Sequence, residues 1–164
     1  MELDGLPLHQ LVNDATVALV PLSVLLGWAF ALLRGWRWLM RWATLATTVA
    51  GLAALVVTVV TGKDLLDSLI ANIPADQPLY ATLQTHEERA DLLLWLYVAY
   101  TVVVVAAFLL LPAPSRLVDG RLDHRGSEAG WVGVVVPAAL VLLGLGCLVA
   151  AVLTGHAGAQ AAFG

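Results

Sequence analysis

The stretch Thr85-His86-Glu87-Glu88-Arg89-Ala90-Asp91 stands directly before a long apolar segment that begins at Leu92. Thr85 followed three residues later by Glu88 fits a capping box, in which two side chains bond free amides at a helix start. The pattern therefore predicts that a helix begins here, with His86 in its first turn. Glu87 and Glu88 would then lie at the positive end of the helix dipole.

The composition is that of a membrane protein. Of the 164 residues, 60% are hydrophobic and 12% are charged, whereas a soluble domain carries about 25% charged residues. Four segments with almost no charge cover about 15–33, 42–61, 92–111 and 131–153. Each approaches the ~20 residues that a helix needs to cross a bilayer. We therefore predict an all-α fold, a four-helix transmembrane bundle that forms one integral membrane domain over 1–164.

Two further helical features are predicted outside these segments. Pro7 suits the first turn of a helix, so helix one is expected to begin near Leu6. After Gly62, leucine and isoleucine alternate with aspartate and serine at helical spacing, which predicts a short amphipathic helix over about 63–71 on the outer surface. The N-terminus lacks the basic region of a signal peptide, so we expect helix one to be retained.

The distribution of basic residues predicts the orientation. The first and third connections carry Arg34, Arg37, Arg41, Arg116, Arg121 and Arg125, whereas the opposite side carries Lys63 and Arg89. The positive-inside rule places the arginine-bearing loops in the cytoplasm. We therefore expect a multi-pass membrane protein with both termini outside. We expect Lys63 and Arg89 to pair with neighbouring carboxylates, although each could instead hold an anion.

The predicted membrane segments indicate how the helices pack. His86, Tyr97 and Tyr100 follow helical spacing, and Tyr hydroxyls in lipid need hydrogen-bond partners, so this face is expected to look into the bundle. Helix four carries a stripe of small residues, and helix two carries one at Ala43, Thr47, Gly51 and Ala54. Such stripes favour close helix packing, within the protein, in a self-associating copy or in a larger membrane complex. The segments carry no charge deep in the membrane, which argues against a role as an ion pump, because ion pumps usually need ionisable groups there. Nothing in the sequence indicates nucleic-acid binding.

Three of the four histidines fall near the outer ends of predicted helices. The topology brings His9, His86 and His156 to a common depth. Neutral imidazole is a common ligand of transition metals, and two histidines on different helices can hold a haem b axially. We therefore consider His9, His86 and His156 as a cofactor or metal site, with Asp14, Glu87 and Asp91 as possible supporting carboxylates. The alternative is that the three histidines cap helix ends and bond one another.

Several short motifs resemble one bacterial family. They are Gly5-Leu6-Pro7-Leu8-His9, Thr61-Gly62-Lys63, His86 at the entrance to helix three, and Gly155-His156-Ala157-Gly158-Ala159. Together they are similar to the four-helix membrane proteins catalogued as domain of unknown function 2231. That family typically reads His-Pro-x-x-x-His in the first motif, where this chain has Gln10 and Asn13 and thus lacks the second histidine. Some relatives are joined to Rieske-type iron–sulfur domains, so the resemblance implies surroundings of electron transfer.

Our leading hypothesis is a membrane protein that is not an enzyme and has no catalytic residue. It carries an outward-facing histidine cluster, with haem b or a transition metal as possible cofactor, and serves as an accessory subunit of a redox or respiratory assembly. One alternative is a purely structural subunit without a cofactor. The other is a small carrier for metal ions gathered by the acidic outer face.

Overall fold

A computed structural model describes residues 2–3, 6–71, 73–115, 117 and 122–163. Four helices make up the fold: α1 Leu8–Leu32, α2 Arg37–Ile70, α3 Pro78–Leu110 and α4 Val132–Phe163. Each is long and apolar enough to cross a membrane. The predicted all-α bundle of four membrane-spanning helices is therefore confirmed. Arg116 and Arg121, which entered the orientation argument, lie outside the described residues.

Short elements complete the chain. The two-residue strands β1 Glu2–Leu3 and β2 Leu6–Pro7 pair antiparallel before α1. A single 3-10 turn, Arg34–Trp36, joins α1 to α2. Because this connection is so short, α1 and α2 form an antiparallel hairpin.

The bundle consists of two helix hairpins. The first hairpin packs α1 on α2, the second packs α3 on α4, and the two meet through the α2–α3 and α1–α4 interfaces. The start of α1, the end of α2, the start of α3 and the end of α4 therefore lie together. We call this the histidine end, because it holds His9 and His86. The opposite end, which holds Arg37 and Arg41, is the arginine end.

A pair of tyrosines fills the middle of the bundle. Tyr97 and Tyr100 are fully buried, which confirms that this face of α3 looks inward. The Tyr97 hydroxyl lies 2.6 Å from the Ser23 hydroxyl, and the Tyr100 hydroxyl donates to the Ser23 carbonyl at 2.9 Å. Both polar groups therefore have the partners that burial among apolar helices requires.

Two buried guanidinium groups cap the C-terminal ends of helices at the arginine end. Arg37 donates from Nε to the Phe30 carbonyl and from Nη2 to the Ala31 carbonyl, while Arg41 donates from Nη2 to the Phe108 carbonyl. These carbonyls belong to the last turns of α1 and α3, where helix carbonyls lack partners within the helix. The positive charges also complement the negative ends of the helix dipoles.

The helix boundaries differ from those expected at three places. α1 begins at Leu8, and Pro7 belongs to β2. α3 begins at Pro78, whose fixed φ suits a first helical position, and the Thr85 hydroxyl bonds the Ala81 carbonyl four residues back instead of capping a helix start. α2 continues without a break to Ile70, so the segment 63–71 is not a separate amphipathic helix.

The packed face of α2 also differs from the predicted stripe of small residues. Thr44, Thr48, Gly51 and Leu55 are buried, whereas Ala43, which the spacing placed on the same stripe as Gly51, is exposed. The contact that matters at Gly51 is with a large residue, since the Tyr97 hydroxyl occupies the space where a Cβ would lie. The missing side chain accommodates a tyrosine rather than a second small-residue helix.

Candidate histidine site at one end of the bundle

His9 lies in the first turn of α1 and contacts α2. Its Nδ1 is 2.9 Å from the carbonyl oxygen of Thr58. A carbonyl only accepts hydrogen bonds, so Nδ1 must carry the proton in this contact. In the neutral ring, Nε2 then keeps its lone pair, which is the form that binds a metal or haem iron. The α2 backbone therefore selects the tautomer of His9.

His86 makes the same contact in the other hairpin. Its Nδ1 is 3.0 Å from the carbonyl oxygen of Thr154 on α4. By the same reasoning, Nδ1 donates and Nε2 is left with a lone pair. Histidines that ligate metals commonly donate their other ring N–H to a backbone carbonyl or a carboxylate, which fixes the ring orientation. Both histidines thus have the hydrogen bond that is typical of a ligand.

A glycine lies beneath each imidazole ring. A Cβ at Gly62 would lie 3.0 Å from Cε1 and Nδ1 of His9, and a Cβ at Gly158 would lie 3.0 Å from Cε1 of His86. The positions follow from helix geometry, because the carbonyl of residue i points towards residue i+4. A ring that reaches the carbonyl of Thr58 or Thr154 must therefore lie over residue 62 or 158. Any side chain there would push the ring away.

The two hairpins are equivalent at this end. In each, the first helix supplies a histidine, and the second supplies a threonine carbonyl with a glycine four residues later. The rings of His9 and His86 are near enough to interact electrostatically. The topology therefore places two imidazoles with the same backbone support at one end of the bundle, one in each hairpin.

Two imidazoles that each keep a lone pair on Nε2 match the pair of protein ligands that a haem can take. Within the described part of the chain, no group of three or more His, Cys, Asp or Glu side chains could hold a metal ion. A bare transition metal takes about four or more ligands, whereas a haem supplies four nitrogens itself and needs only two axial ligands. His9 and His86 could supply those two through Nε2.

The remaining predicted site residues lie elsewhere. His156 is exposed, on the opposite side of α4 from the Thr154 and Gly158 positions that contact His86. Asp14 is also exposed. Glu87 and Asp91 face α2, where their carboxylates lie 3.8 Å and 2.8 Å from Nζ of Lys63.

The two basic residues of this end have different partners. Lys63 pairs with carboxylates, as expected. Arg89 does not follow that expectation, because its Nη1 donates to the Leu153 carbonyl of α4 at 3.0 Å. Thr61, at the same end, donates its hydroxyl to the carbonyls of Val57 and Thr58, so it shares an acceptor with His9.

No protein-family model matches the chain, and no curated protein or solved structure shows significant similarity to it. The resemblance to domain of unknown function 2231 therefore stays a prediction. The fold itself defines the class: a four-helix bundle built to span a membrane, with two supported histidines at one end.

Gly62 and Gly158 stand in the short motifs quoted above, but their contacts with the two histidines were not predicted, although they leave a signal in the sequence. Thr58-Val59-Val60-Thr61-Gly62 and Thr154-Gly155-His156-Ala157-Gly158 both have threonine and glycine four apart near the end of an apolar segment. Each pair lies on the helix that follows a histidine-bearing helix. A threonine followed four residues later by a glycine, sought in both halves of the chain, identifies both glycines.

Proposed function

We propose that this chain is a multi-pass protein of the bacterial plasma membrane in which His9 and His86 bind one haem b through Nε2. The proposal rests on one observation, the matched pair of hydrogen bonds from Nδ1 to backbone carbonyls. A polar side chain with only a structural role would need a partner for its ring. It would not need a backbone carbonyl of the following helix in both hairpins, the acceptor that fixes the proton on Nδ1 and leaves Nε2 with its lone pair.

The chemistry that a haem b supplies is one-electron transfer. The chain would contribute two things to it: a fixed axial ligand from each hairpin, and a surrounding of apolar helices that limits access of water. We therefore propose a role as a non-enzymatic accessory subunit of a redox assembly, with the histidine end facing outward. The basic residues support this orientation, since Arg34, Arg37, Arg41 and Arg125 all belong to the opposite end.

The experiment is an absorption spectrum with metal analysis on protein purified gently from its native membrane. The proposal expects a Soret band and about one haem per chain. Replacing either His9 or His86 by Ala should remove the band. His156→Ala is the matched control, because it deletes an exposed imidazole at the same end and should leave the spectrum unchanged.

Other outcomes would change the assignment. A colourless protein with a stoichiometric metal that both His9→Ala and His86→Ala remove would indicate a metal site completed by other ligands. A colourless and metal-free protein would favour the purely structural subunit, in which the two histidines only join helices.

A further inference from the structure

An apolar groove runs between α3 and α4 on the side of the bundle that faces away from its core. Its volume is about 410 Å³, and its walls include Leu92, Leu96, Leu145, Gly146, Val149 and Leu153. Gly146 opens the groove, because a Cβ there would meet only Cδ1 of Leu96, at 4.0 Å. Since the wall residues belong to the membrane-spanning segments, the groove faces the hydrocarbon of the bilayer.

A cation stands at one end of this groove. Arg89 lies one helical turn before Leu92, and its Nη1 donates to the carbonyl of Leu153, a wall residue on the other helix. This bond holds the guanidinium across the mouth of the groove. An Arg side chain has five N–H donors in all. Among the described residues, the side-chain ion pairs involve Lys63 and not Arg89.

The acidic residues of α3 face the other way. Successive residues of an α-helix are turned by about 100°, so Arg89 and Leu96, seven residues apart, lie within about 20° of each other. Glu87 and Asp91 lie roughly 160° around the helix from Arg89, and both carboxylates face Lys63 on α2. Glu88 is the nearest acidic neighbour in the chain and lies about 100° away. The groove face of α3 is therefore locally basic although the histidine end is acidic.

We propose that this groove binds an anionic phospholipid, with its phosphate on Arg89 and one acyl chain along Leu96, Gly146 and Val149. The charge of Arg89 complements a phosphate, and its position suits the depth of a lipid headgroup. Arg89 lies where the polar part of α3 ends, just before the apolar segment that begins at Leu92. Guanidinium groups bind phosphate oxygens through paired hydrogen bonds. This inference does not depend on the histidine site.

Lipid retention measured by native mass spectrometry tests the proposal. The full chain is reconstituted with equal amounts of phosphatidylglycerol and phosphatidylcholine and then transferred to detergent. The wild type should retain phosphatidylglycerol preferentially. Arg89→Gln should reduce that preference about fivefold, the effect expected for one basic residue near a membrane surface. Arg125→Gln removes one exposed cation at the arginine end and is the control with the same change of net charge.

Gly146→Leu tests the acyl chain separately, because the new side chain fills the groove without touching Arg89. It should reduce retention of both lipids, whereas Gly133→Leu on the same helix, where a Cβ meets nothing within 4 Å, should not. If Arg89→Gln and Arg125→Gln showed the same preference for phosphatidylglycerol, that result would overturn the proposal. So would unchanged lipid retention in Gly146→Leu, which would mean that no acyl chain lies in the groove. Loss of a dimer in Gly146→Leu with lipid retention unchanged would instead identify the groove as a self-association face, and would also overturn it.

Discussion

His9 and His86 occupy equivalent positions in the two helix hairpins, each donating from Nδ1 to a threonine carbonyl on the helix that follows. The acceptors, Thr58 and Thr154, both lie four residues before a glycine that contacts the ring. The sequence has no obvious internal repeat, yet the bundle repeats this local construction. The repetition is the reason for regarding the two imidazoles as one site.

The glycine beneath His86 gives the first prediction. In Gly158→Ala, the new methyl group would lie 3.0 Å from Cε1 and 3.2 Å from Nδ1 of the ring, so the imidazole must shift. We expect cofactor affinity to fall about tenfold or more, as when hydrogen-bonded supports of a ligand are changed. Haem content per chain is the measurement. Gly155→Ala in the same helix, where a Cβ meets nothing within 4 Å, is the control, and equal haem content in the two variants would contradict the prediction.

A second prediction concerns the tyrosine pair. Gly51→Ala places a methyl group 2.5 Å from the Tyr97 hydroxyl, so we expect a loss of about 1–3 kcal/mol in the free energy of unfolding from overpacking. Tyr97→Phe removes the hydroxyl that causes the conflict. In that background Gly51→Ala should therefore cost clearly less, and unfolding in mixed detergent micelles measures the difference. Additive effects of the two substitutions would show that the hydroxyl is not what fills the space.

The capping arginine of α1 gives a third prediction. Arg37→Met keeps most of the length of the side chain but leaves the carbonyls of Phe30 and Ala31 without this donor. Losing the partner of a buried polar group costs about 1–3 kcal/mol, and we expect a decrease in the free energy of unfolding in that range. Arg34→Met at an exposed position should change it by less than about 0.5 kcal/mol. Equal effects would mean that charge at this end, not the cap, stabilises the fold.

The ion pair between α2 and α3 should contribute little. Lys63 and Asp91 are 2.8 Å apart, but their side chains are 44% and 39% exposed. Exposed ion pairs contribute about 0.2–1 kcal/mol and are screened by salt. Lys63→Met should therefore lower the free energy of unfolding no more than the loss of an exposed ion pair does, with a smaller effect at high salt. A cost several times larger that persists in salt would mean that Lys63 has a further role.

The four membrane-spanning segments could be predicted because the thickness of the bilayer dictates their length and apolar character. The helix ends could not be located in the same way. Thr85 and Glu88 match a capping box, but Pro78 starts α3 two turns earlier, and local signals do not decide between two possible starts. The sequence predicts a separate amphipathic helix after Gly62, whereas α2 continues through this glycine. Its missing side chain accommodates His9, a contact that depends on tertiary packing.

The same limit applies to the candidate site. Topology placed His9 and His86 at one depth, because each stands on the same side of the predicted bundle, close before an apolar segment, although α3 itself begins earlier, at Pro78. It placed His156 there as well, and only the rotation of α4 about its axis separates the exposed His156 from the inward positions of Thr154 and Gly158. Backbone carbonyls have no residue type of their own, and the threonine and glycine four apart in each half of the chain become informative only once the helix packing places a histidine beside them.

The central claim is that His9 and His86 are axial ligands, and the reduction potential of the haem in His86→Met tests it most directly. Replacing one axial histidine by methionine raises the potential of a haem, whereas a histidine that only joins helices would leave it unchanged. We predict a clear upward shift in potentiometric titration of His86→Met and no shift in His156→Met. A wild-type protein without a redox-active pigment, or the same potential in wild type and His86→Met, would contradict the account.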